Sequence, residues 1–324
     1  MNIDMIRAAA NRLSDRVRHT PLLSSPSLDR IAGRRVLVKP ECLQHTGSFK
    51  YRGGLSAVSA LPDTVRARGV LAFSSGNHAQ GVARAAAEHG VPAVIVMPCD
   101  APALKLANTR ALGAEVITYD RPGGENREAI GERLAEERGL TLIRPYDAPE
   151  VIAGQGTAGL EIAVDVRALG IERADVLVCC GGGGLTSGVA LALEAEAPGL
   201  CARPVEPEGF DDVVRSLVSH RIERNESHAR SICDAIETPA PGELTFPIMD
   251  RLCGPGLTVT DDEALAAMAL AFRDLKIVLE PGGAVSLAAA LWRPDAIEGD
   301  AVVVLASGGN VDPSVFARAL GTLA

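Results

Sequence analysis

The sequence predicts an α/β protein with parallel sheets covered by helices and built as two lobes. Short apolar runs alternate with amphipathic segments from residue 70 onward, and the alternation restarts after residue 150. Strands that alternate with helices favour parallel pairing. A length of 324 residues and a 47% share of hydrophobic residues suit two lobes with sizeable cores.

Each predicted element follows from its pattern of apolar residues. The strands of the first series are VLAFS, AVIVMP, AEVITYD and LTLIRPYD, and the intervening helices are HAQGVARAAAEHG, APALKLANTRALG and ENREAIGERLAEERG. The second series has the helix TAGLEIAVDVRALG, then the strands ADVLVCC, ARPVEP and AVVVLAS and the helices LTSGVALALEAEA, DDEALAAMALAFRDLK and GGAVSLAAALW. Thr260 and Glu263 form a capping-box pattern at the start of one helix. The polar stretch 220–247 is predicted to be a loop that covers the site.

Composition argues against several classes of protein. The net charge is −9, from 32 Lys and Arg against 41 Asp and Glu, and no basic block stands out, so nucleic acid is not an expected partner. No apolar stretch approaches the roughly 18 residues that span a bilayer, and the first thirty residues lack a signal-peptide pattern. A cytoplasmic protein that does not bind membranes is expected. Seven scattered cysteines without a CxxC motif predict reduced thiols.

Three polar glycine turns follow predicted strands. The run CCGGGGLTSG at 179–188 precedes a helix, and its bare N–H groups favour a phosphate over a flexible linker. Neither a GxGxxG frame nor a P-loop is present there, which weakens a nucleotide interpretation. The turn FSSGNHAQG at 73–81 could hold a carboxylate or could simply cap its helix, and ASGGN at 306–310 follows the last strand. Turns at the carboxyl ends of parallel strands should converge on one crevice.

Lys50 lies in the segment TGSFKYRGG, between small residues and turn formers. An amine that is desolvated among these turns has a lowered pKa and can form a Schiff base with a carbonyl cofactor. Pyridoxal phosphate supplies both a carbonyl and a phosphate. A lysine that only balances the charge of a phosphate is the alternative. Arg52 is predicted to hold this segment through a salt bridge.

Six motifs carry a resemblance to a known family. SFKYRGG, SSGNHAQG, VIAGQGT, CGGGGLTSG, EPGGA and SGGN occur in the order seen in pyridoxal-phosphate enzymes of fold type II, and nearly the whole chain resembles their threonine/serine dehydratase and serine racemase group. The resemblance implies a two-lobed fold like that of tryptophan synthase β. It also implies a large cofactor-binding domain of residues 1–52 and 148–324, a small mobile domain of residues 53–147, and a homodimer.

The resemblance implies roles for individual residues. Lys50 would form the Schiff base and remove the Cα proton, and Ser75 is the position that serves racemases as an acid/base on the opposite face. Asn77 would bind the ring hydroxyl of the cofactor, and Ser307 its ring nitrogen. The expected cofactor contacts are Phe49, Lys50, Asn77, Gly181, Gly182, Gly183, Gly184, Leu185, Gly242, Glu280 and Ser307. The expected contacts of the substrate carboxylate are Ser74, Ser75, Asn77 and His78.

The implied activity is a pyridoxal-phosphate-dependent ammonia-lyase, or dehydratase, that converts a 3-hydroxy amino acid to a 2-oxo acid and ammonia by β-elimination. L-Threonine or L-serine is the first expectation for its substrate. The alternatives are 3-hydroxyaspartate or another bulky 3-hydroxy amino acid, and serine or aspartate racemisation. A second substrate carboxylate would need a cation, for which Arg144, His45 and an arginine of the 215–230 loop are candidates. A ligand-binding relative without catalysis and a nucleotide-dependent oxidoreductase are the alternatives from other classes.

The segment VEPEGFDD at 205–212 places two acidic side chains around a turn. Such an oxygen-rich turn suits Mg²⁺ or Ca²⁺, although a solvated acidic loop has the same composition. The resemblance favours a structural cation, with Glu206, the carbonyl of Phe210 and Asp212 as its ligands.

Overall fold

A computed structural model describes residues 1–74, 76–101, 103–120, 123–226 and 229–323. Within this part of the chain the strands form one five-stranded sheet, in the order β1-β9-β6-β7-β8, and one four-stranded sheet, in the order β4-β3-β2-β5. All strand pairs are parallel. The predicted α/β class is therefore confirmed. The strands are β1 Arg35–Pro40, β2 Val70–Phe73, β3 Ala93–Pro98, β4 Glu115–Tyr119, β5 Thr141–Leu142, β6 Ala174–Cys179, β7 Leu200–Pro207, β8 Leu257–Val259 and β9 Ala301–Ala306.

Helices cover both sheets. They are α1 Ile3–Leu13, α2 Pro26–Ala32, α3 Lys50–Ala60, α4 Asp63–Arg66, α5 Asn77–Glu88, α6 Ala103–Ala111, α7 Arg127–Arg138, α8 Pro149–Ala168, α9 Gly184–Glu196, α10 Asp212–Ser219, α11 Thr245–Leu252, α12 Asp261–Leu270, α13 Pro281–Trp292 and α14 Pro313–Leu320. The predicted capping box is present at α12, where the Thr260 side chain and the Glu263 side chain each accept a backbone N–H. Among the described residues, no helix combines the length and apolar character needed to cross a membrane.

The central strands are buried along their whole length, as helices on both faces of a parallel sheet require. Every residue of β3, β6 and β9 is buried. The largest core lies between the five-stranded sheet and helices α12 and α13, where Val38, Val304, Met268 and Leu287 are fully buried. The carboxyl ends of β6 and β9 are therefore held in place by the packed core.

The five-stranded sheet joins the two ends of the chain. β1, which the sequence pattern left unassigned, pairs with β9 near the carboxyl terminus. All strands of the four-stranded sheet lie between Val70 and Leu142. The proposed division into domains at residues 52 and 148 stays a prediction, and its first boundary falls inside α3.

Helices α8 and α9 touch through their backbones behind the site. A Cβ atom added to Gly188 of α9 would lie 2.5 Å from the carbonyl oxygen of Ile152 and 2.6 Å from the nitrogen of Gly156, both in α8. The VIAGQGT motif is part of α8. Small residues are therefore required here because side chains would separate the two helices.

Candidate active site

The three glycine turns meet, as the sequence predicts. β2, β6 and β9 end at Phe73, Cys179 and Ala306, and each turn follows directly. Residues of all three turns share one cavity, here named the first cavity. It is lined by Phe49, Lys50, Asn77, Tyr146, Cys179, Cys180, Gly181, Gly182, Gly183, Gly184, Leu185, Thr186, Ala235, Ile236, Thr238 and Ser307. The predicted loop contributes Ala235, Ile236 and Thr238, although α11 begins inside the predicted stretch.

The segment before Lys50 is fixed to the turn after β9. The N–H of Phe49 donates to the Ser307 carbonyl at 3.1 Å, and the N–H of Gly309 donates to the Gly47 carbonyl at 2.9 Å. Lys50 is the first residue of α3. A Cβ atom added to Gly81 of α5 would lie 2.9 Å from the carbonyl carbon of Lys50. The position of Lys50 is thus set by β9 on one side and by α5 on the other.

The Lys50 amine lies at a partly buried position with one polar partner among the described residues. Its Nζ donates to the Pro145 carbonyl at 2.8 Å and lies 5.2 Å from the centre of the Phe49 ring. Burial lowers the pKa of Lys50 to about 8, although the negative charge of Glu280 opposes the shift. About half of such an amine is neutral at pH 8. Lys50 is therefore able to act as a nucleophile and as a base near neutral pH.

The glycine turn presents unpaired donors at the start of α9. Gly183 has a φ of 86°, a left-handed conformation that favours glycine. The N–H groups of residues 181 to 185 donate to no other described residue, as expected where a first helical turn begins. The Thr186 hydroxyl is buried and has no partner among the described residues. These donors suit a phosphate, and Thr186 is a site residue that the sequence analysis did not name.

Asn77 begins α5 beside a buried carboxylate. Its Nδ2 donates to Glu280 Oε1 at 2.6 Å, and its Oδ1 accepts a hydrogen bond from Asn310 Nδ2 at 2.7 Å. Burial raises the pKa of Glu280 to about 7, although the hydrogen bond from Asn77 opposes the shift. Asn77 lines the first cavity, whereas Glu280 lines the adjoining one.

The adjoining space, here named the second cavity, contains most of the residues predicted to bind a carboxylate. It is lined by Lys50, Phe73, Ser74, Gly76, Asn77, His78, Lys105, Arg127, Pro145, Tyr146, Asp234, Ala235, Glu237, Thr238 and Glu280. The His78 imidazole is only 2% exposed and donates from Nε2 to the Ile143 carbonyl at 2.9 Å. Burial and the positive charge of Lys50 lower the pKa of His78 to about 3, so the ring is neutral. Ser75 lies outside the described residues.

Two cations that the sequence analysis did not name reach the second cavity. Arg127, at the start of α7, is exposed, and its guanidinium carbon lies 5.6 Å from the centre of the Phe73 ring. It forms no ion pair with the described part of the chain. Lys105 is 3.2 Å from Asp234, so its charge is partly balanced. Arg127 is therefore the cation with the greater capacity for an added anion.

The cations named from the sequence do not line the two cavities, although Arg144 and Arg224 line a neighbouring cavity that shares Arg127, Pro145 and Tyr146 with the second cavity. Arg144 is 3.3 Å from Glu132, and His45 packs edge-on against Tyr51 with a ring separation of 5.2 Å. Neither lines the two cavities, and no arginine of the 215–230 segment lines them either, as far as that segment is described. Gly242 also lies outside both cavities, where its N–H donates to the Gly182 carbonyl at 3.2 Å. This hydrogen bond connects Gly242 to the glycine turn.

The acidic turn lies apart from both cavities. Glu206 accepts the N–H groups of Val213 and Val214 at 3.2 and 2.8 Å, and Asp212 accepts from Asn225. The second carboxylate oxygen of Asp212, Oδ2, is buried without a partner among the described residues. Burial raises the pKa of Asp212 to about 7, and burial together with the charge of Asp212 raises the pKa of Glu206. Two buried carboxylates with an unpaired oxygen fit a cation, although the described residues contain no cluster of three or more acidic, His or Cys ligands.

Comparisons with known proteins agree with this geometry. Residues 13–308 match the family of pyridoxal-phosphate dependent enzymes. An L-threo-3-hydroxyaspartate ammonia-lyase of a Pseudomonas species is 44% identical over 98% of this chain and 97% of its own length. A serine racemase of Schizosaccharomyces pombe is 39% identical over 98% of this chain and 96% of its own length.

A solved structure is similarly close. A threonine deaminase from T.th. has a TM-score of 0.90 and 45% sequence identity, over 96% of this chain and 99% of that one. The predicted family and fold are thereby confirmed. The chain belongs to the pyridoxal-phosphate dependent enzymes, in the fold type II group that contains these ammonia-lyases, deaminases and racemases.

Proposed function

We propose that this enzyme is an ammonia-lyase for 3-hydroxy amino acids and that L-threo-3-hydroxyaspartate is its substrate. One observation carries the proposal: Lys50 and Arg127 line the same cavity, and Arg127 has no ionic partner in the described part of the chain. The Pseudomonas relative is named for the same substrate. The proposal therefore departs from the first expectation, which was threonine or serine.

The residues of the first cavity fit pyridoxal phosphate. The phosphate would be held by the N–H groups of residues 181 to 185 and by the Thr186 hydroxyl, which are free of partners among the described residues. Asn77 and Ser307 would contact the ring, and Phe49 would pack near it. The bound group supplies an aldehyde carbon for the substrate amine and an electron sink for the pair left at Cα.

The side chains around the substrate divide the remaining tasks. The Lys50 amine, neutral in part near pH 8, takes the proton from Cα. The N-terminus of α5, with Ser74, Asn77 and the backbone of His78, receives the α-carboxylate. The neutral His78 ring adds no positive charge there, since it is committed to Ile143. The acid/base role of Ser75 stays a prediction, because Ser75 lies outside the described residues.

The overall reaction balances without an oxidant or a reductant. The substrate loses the Cα proton and the C3 hydroxyl as one molecule of water. The unsaturated amine that is released takes up one water, which gives a 2-oxo acid and ammonia. An electron sink beside a base is sufficient for this chemistry.

Arg127 would distinguish 3-hydroxyaspartate from threonine. The two substrates differ at C3, where the first carries a carboxylate and the second a methyl group. A guanidinium can pair with a carboxylate through two parallel hydrogen bonds and gains nothing from a methyl group. The packing of Arg127 over Phe73 keeps its charged end beside the cavity.

The test compares two variants on two substrates. Replacing Arg127 with Met should lower kcat/KM for L-threo-3-hydroxyaspartate roughly 10- to 100-fold, the effect of one hydrogen-bonded charge, and should change turnover of L-threonine by less than about threefold. Arg133→Met is the matched control, because Arg133 is exposed on the same helix and lies outside both cavities. An equal loss on both substrates would remove Arg127 from substrate recognition, and the absence of ammonia release from every 3-hydroxy amino acid would refute the activity itself.

L-Threonine and L-serine are the second candidates. The T.th. threonine deaminase has nearly the same fold at 45% identity, and that observation favours them. A wild-type enzyme with a higher kcat/KM for L-threonine than for L-threo-3-hydroxyaspartate would decide for this candidate. Chiral analysis of the remaining substrate in the same assays measures racemisation.

A structural Mg²⁺ or Ca²⁺ is part of the proposal. Glu206, the Phe210 carbonyl and Asp212 would hold it. Asp212 Oδ2, which has no partner among the described residues, supports the assignment. The cation would brace β7 against α10 and take no part in the reaction.

A further inference from the structure

Asn310 makes two hydrogen bonds that fix its orientation. Its Nδ2 donates to the Thr46 carbonyl at 2.7 Å and to Asn77 Oδ1 at 2.7 Å. A backbone carbonyl can only accept, so the atom of Asn310 that faces Thr46 must be the nitrogen. The same nitrogen then requires an acceptor on Asn77, which places Asn77 Oδ1 toward Asn310.

The direction of the Asn77 amide nitrogen follows from the position of its oxygen. Its Nδ2 must point away from Asn310, and it donates to Glu280 Oε1 at 2.6 Å. An amide nitrogen carries two hydrogens, so one hydrogen of Asn77 remains available beyond its bonds to the described residues. Asn77 lines the first cavity, which contains Lys50 and Ser307. Asn77 can therefore donate a hydrogen bond to a group bound in that cavity.

The turn that holds Asn310 is itself constrained. Thr46 and Gly47 both have left-handed backbones, with φ of 61° and 74°. A Cβ atom on Gly47 would lie 2.7 Å from Asn310 Oδ1, so glycine leaves the room that this amide occupies. A non-glycine residue such as Thr46 is strained at positive φ and keeps that conformation only where its surroundings impose it. The turn precedes Lys50 by three residues and is bonded to Gly309.

We propose that Asn310 is a positioning residue that keeps Asn77 oriented as a hydrogen-bond donor toward the ring hydroxyl oxygen of pyridoxal phosphate, so that this oxygen is held as an anion. The proposal rests on the proposed cofactor site at Lys50. The proposal adds Asn310, which does not contact the cofactor, to the residues that shape this site. It also assigns one direction to the hydrogen bond that Asn77 donates. Glu280 accepts the other hydrogen bond that the Asn77 amide nitrogen donates.

The test changes the direction of the Asn310 hydrogen bonds. Asn310→Asp has nearly the same shape but can only accept, so Asn77 should turn its nitrogen toward residue 310 and its oxygen toward the cavity. Asn310→Leu removes the hydrogen bonds without adding a charge. Asn108→Asp is the matched control, because Asn108 lines a neighbouring cavity together with Asn310 and makes no side-chain contact with Asn77.

The readout is the absorption spectrum of the purified holoenzyme without substrate at pH 8. The ratio of the band of the ionised ring oxygen to that of the protonated one should fall at least tenfold in Asn310→Asp, the size of one hydrogen bond to a charged group. It should fall by a smaller factor in Asn310→Leu and stay within about twofold of wild type in Asn108→Asp. Should one Asn310 variant fail to fold, the other decides.

Two outcomes separate the proposal from its premise. An unchanged ratio in the folded Asn310 variants, with the cofactor still attached to Lys50, overturns the positioning role and leaves the proposed function intact. A wild-type protein that carries no pyridoxal phosphate on Lys50 overturns the proposed function, and the role of Asn310 with it.

Discussion

Removing the buried guanidinium of Arg52 should strongly destabilise the fold. Arg52 is fully buried and donates to both oxygens of Glu41 at 2.8 Å each and to both oxygens of Glu161 at 2.6 and 2.9 Å. Arg52→Met would leave the fully buried Glu41 with the Thr20 hydroxyl, at 2.7 Å, as its remaining side-chain donor among the described residues. The salt bridge predicted for Arg52 from the sequence is confirmed, and it holds two carboxylates.

The magnitude follows from the cost of an uncompensated buried charge. Breaking one side of a buried ion pair costs about 3–5 kcal/mol, a large part of the roughly 5–15 kcal/mol that stabilises a folded protein. Urea unfolding at pH 7, followed by circular dichroism, measures the free energy of unfolding directly. A thermal scan should show a Tm lower by about 4–7 °C, because 324 residues carry an unfolding entropy of about 0.7 kcal/mol/K.

The exposed ion pair between Arg7 and Glu196 provides the control. Arg7 Nη2 lies 2.6 Å from Glu196, and the Arg7 side chain is 54% exposed. Arg7→Met should therefore lower the free energy of unfolding by less than about 1 kcal/mol. A value for Arg52→Met within about 1 kcal/mol of wild type would refute the reasoning, because it would mean that Glu41 and Glu161 do not need the guanidinium.

Two further changes probe helix packing and the acidic turn. Gly188→Ala should lower the free energy of unfolding by about 1–3 kcal/mol, because the added carbon meets the backbone of α8. The added carbon of the control variant Gly321→Ala meets nothing within 4 Å, so the free energy of unfolding should change by less than about 0.5 kcal/mol. Equal unfolding midpoints for the two variants would contradict the proposed packing of α8 against α9. Mg²⁺ or Ca²⁺ at 100 times its Kd should stabilise the protein by about 2.7 kcal/mol at pH 8. This gain should fade as the pH drops below 7, since Asp212, with its pKa raised to about 7, then binds a proton instead of the cation. Identical Tm values with metal and with chelator at pH 8, or an undiminished gain in Asp212→Asn, would contradict the cation site.

Much of the fold was predictable because it depends on local patterns. The alternation of apolar strands with amphipathic helices predicted β2 to β7 and β9, although β5 is shorter than the predicted run LTLIRPYD. β1 was missed because it lies before residue 70, where the predicted alternation begins, and β8 because it has only three residues, Leu257–Val259. The order of the strands, with β9 between β1 and β6, depends on contacts between distant parts of the chain and leaves no local pattern.

The site was predictable where its parts are motifs. Lys50, Asn77 and the glycine turn belong to short runs with a recognisable spacing, and they line one cavity. Arg127 was missed because it lies on the exposed start of α7, where an arginine is ordinary. Its importance comes from α7 packing beside Phe73, which is a property of the tertiary structure. The orientation of Asn77 likewise depends on Asn310, more than two hundred residues away in sequence.

The role of Lys50 is tested most directly by locating the cofactor on the chain. Borohydride reduction of the purified protein, followed by peptide mass spectrometry, should find a pyridoxyl group on Lys50, and Lys50→Ala should lose both the label and the release of ammonia. The buried Lys39, which is held by Glu161 at 2.7 Å, should stay unlabelled. A pyridoxyl group on any other lysine, or a pure protein without bound pyridoxal phosphate, would refute the role of Lys50 as the Schiff-base lysine.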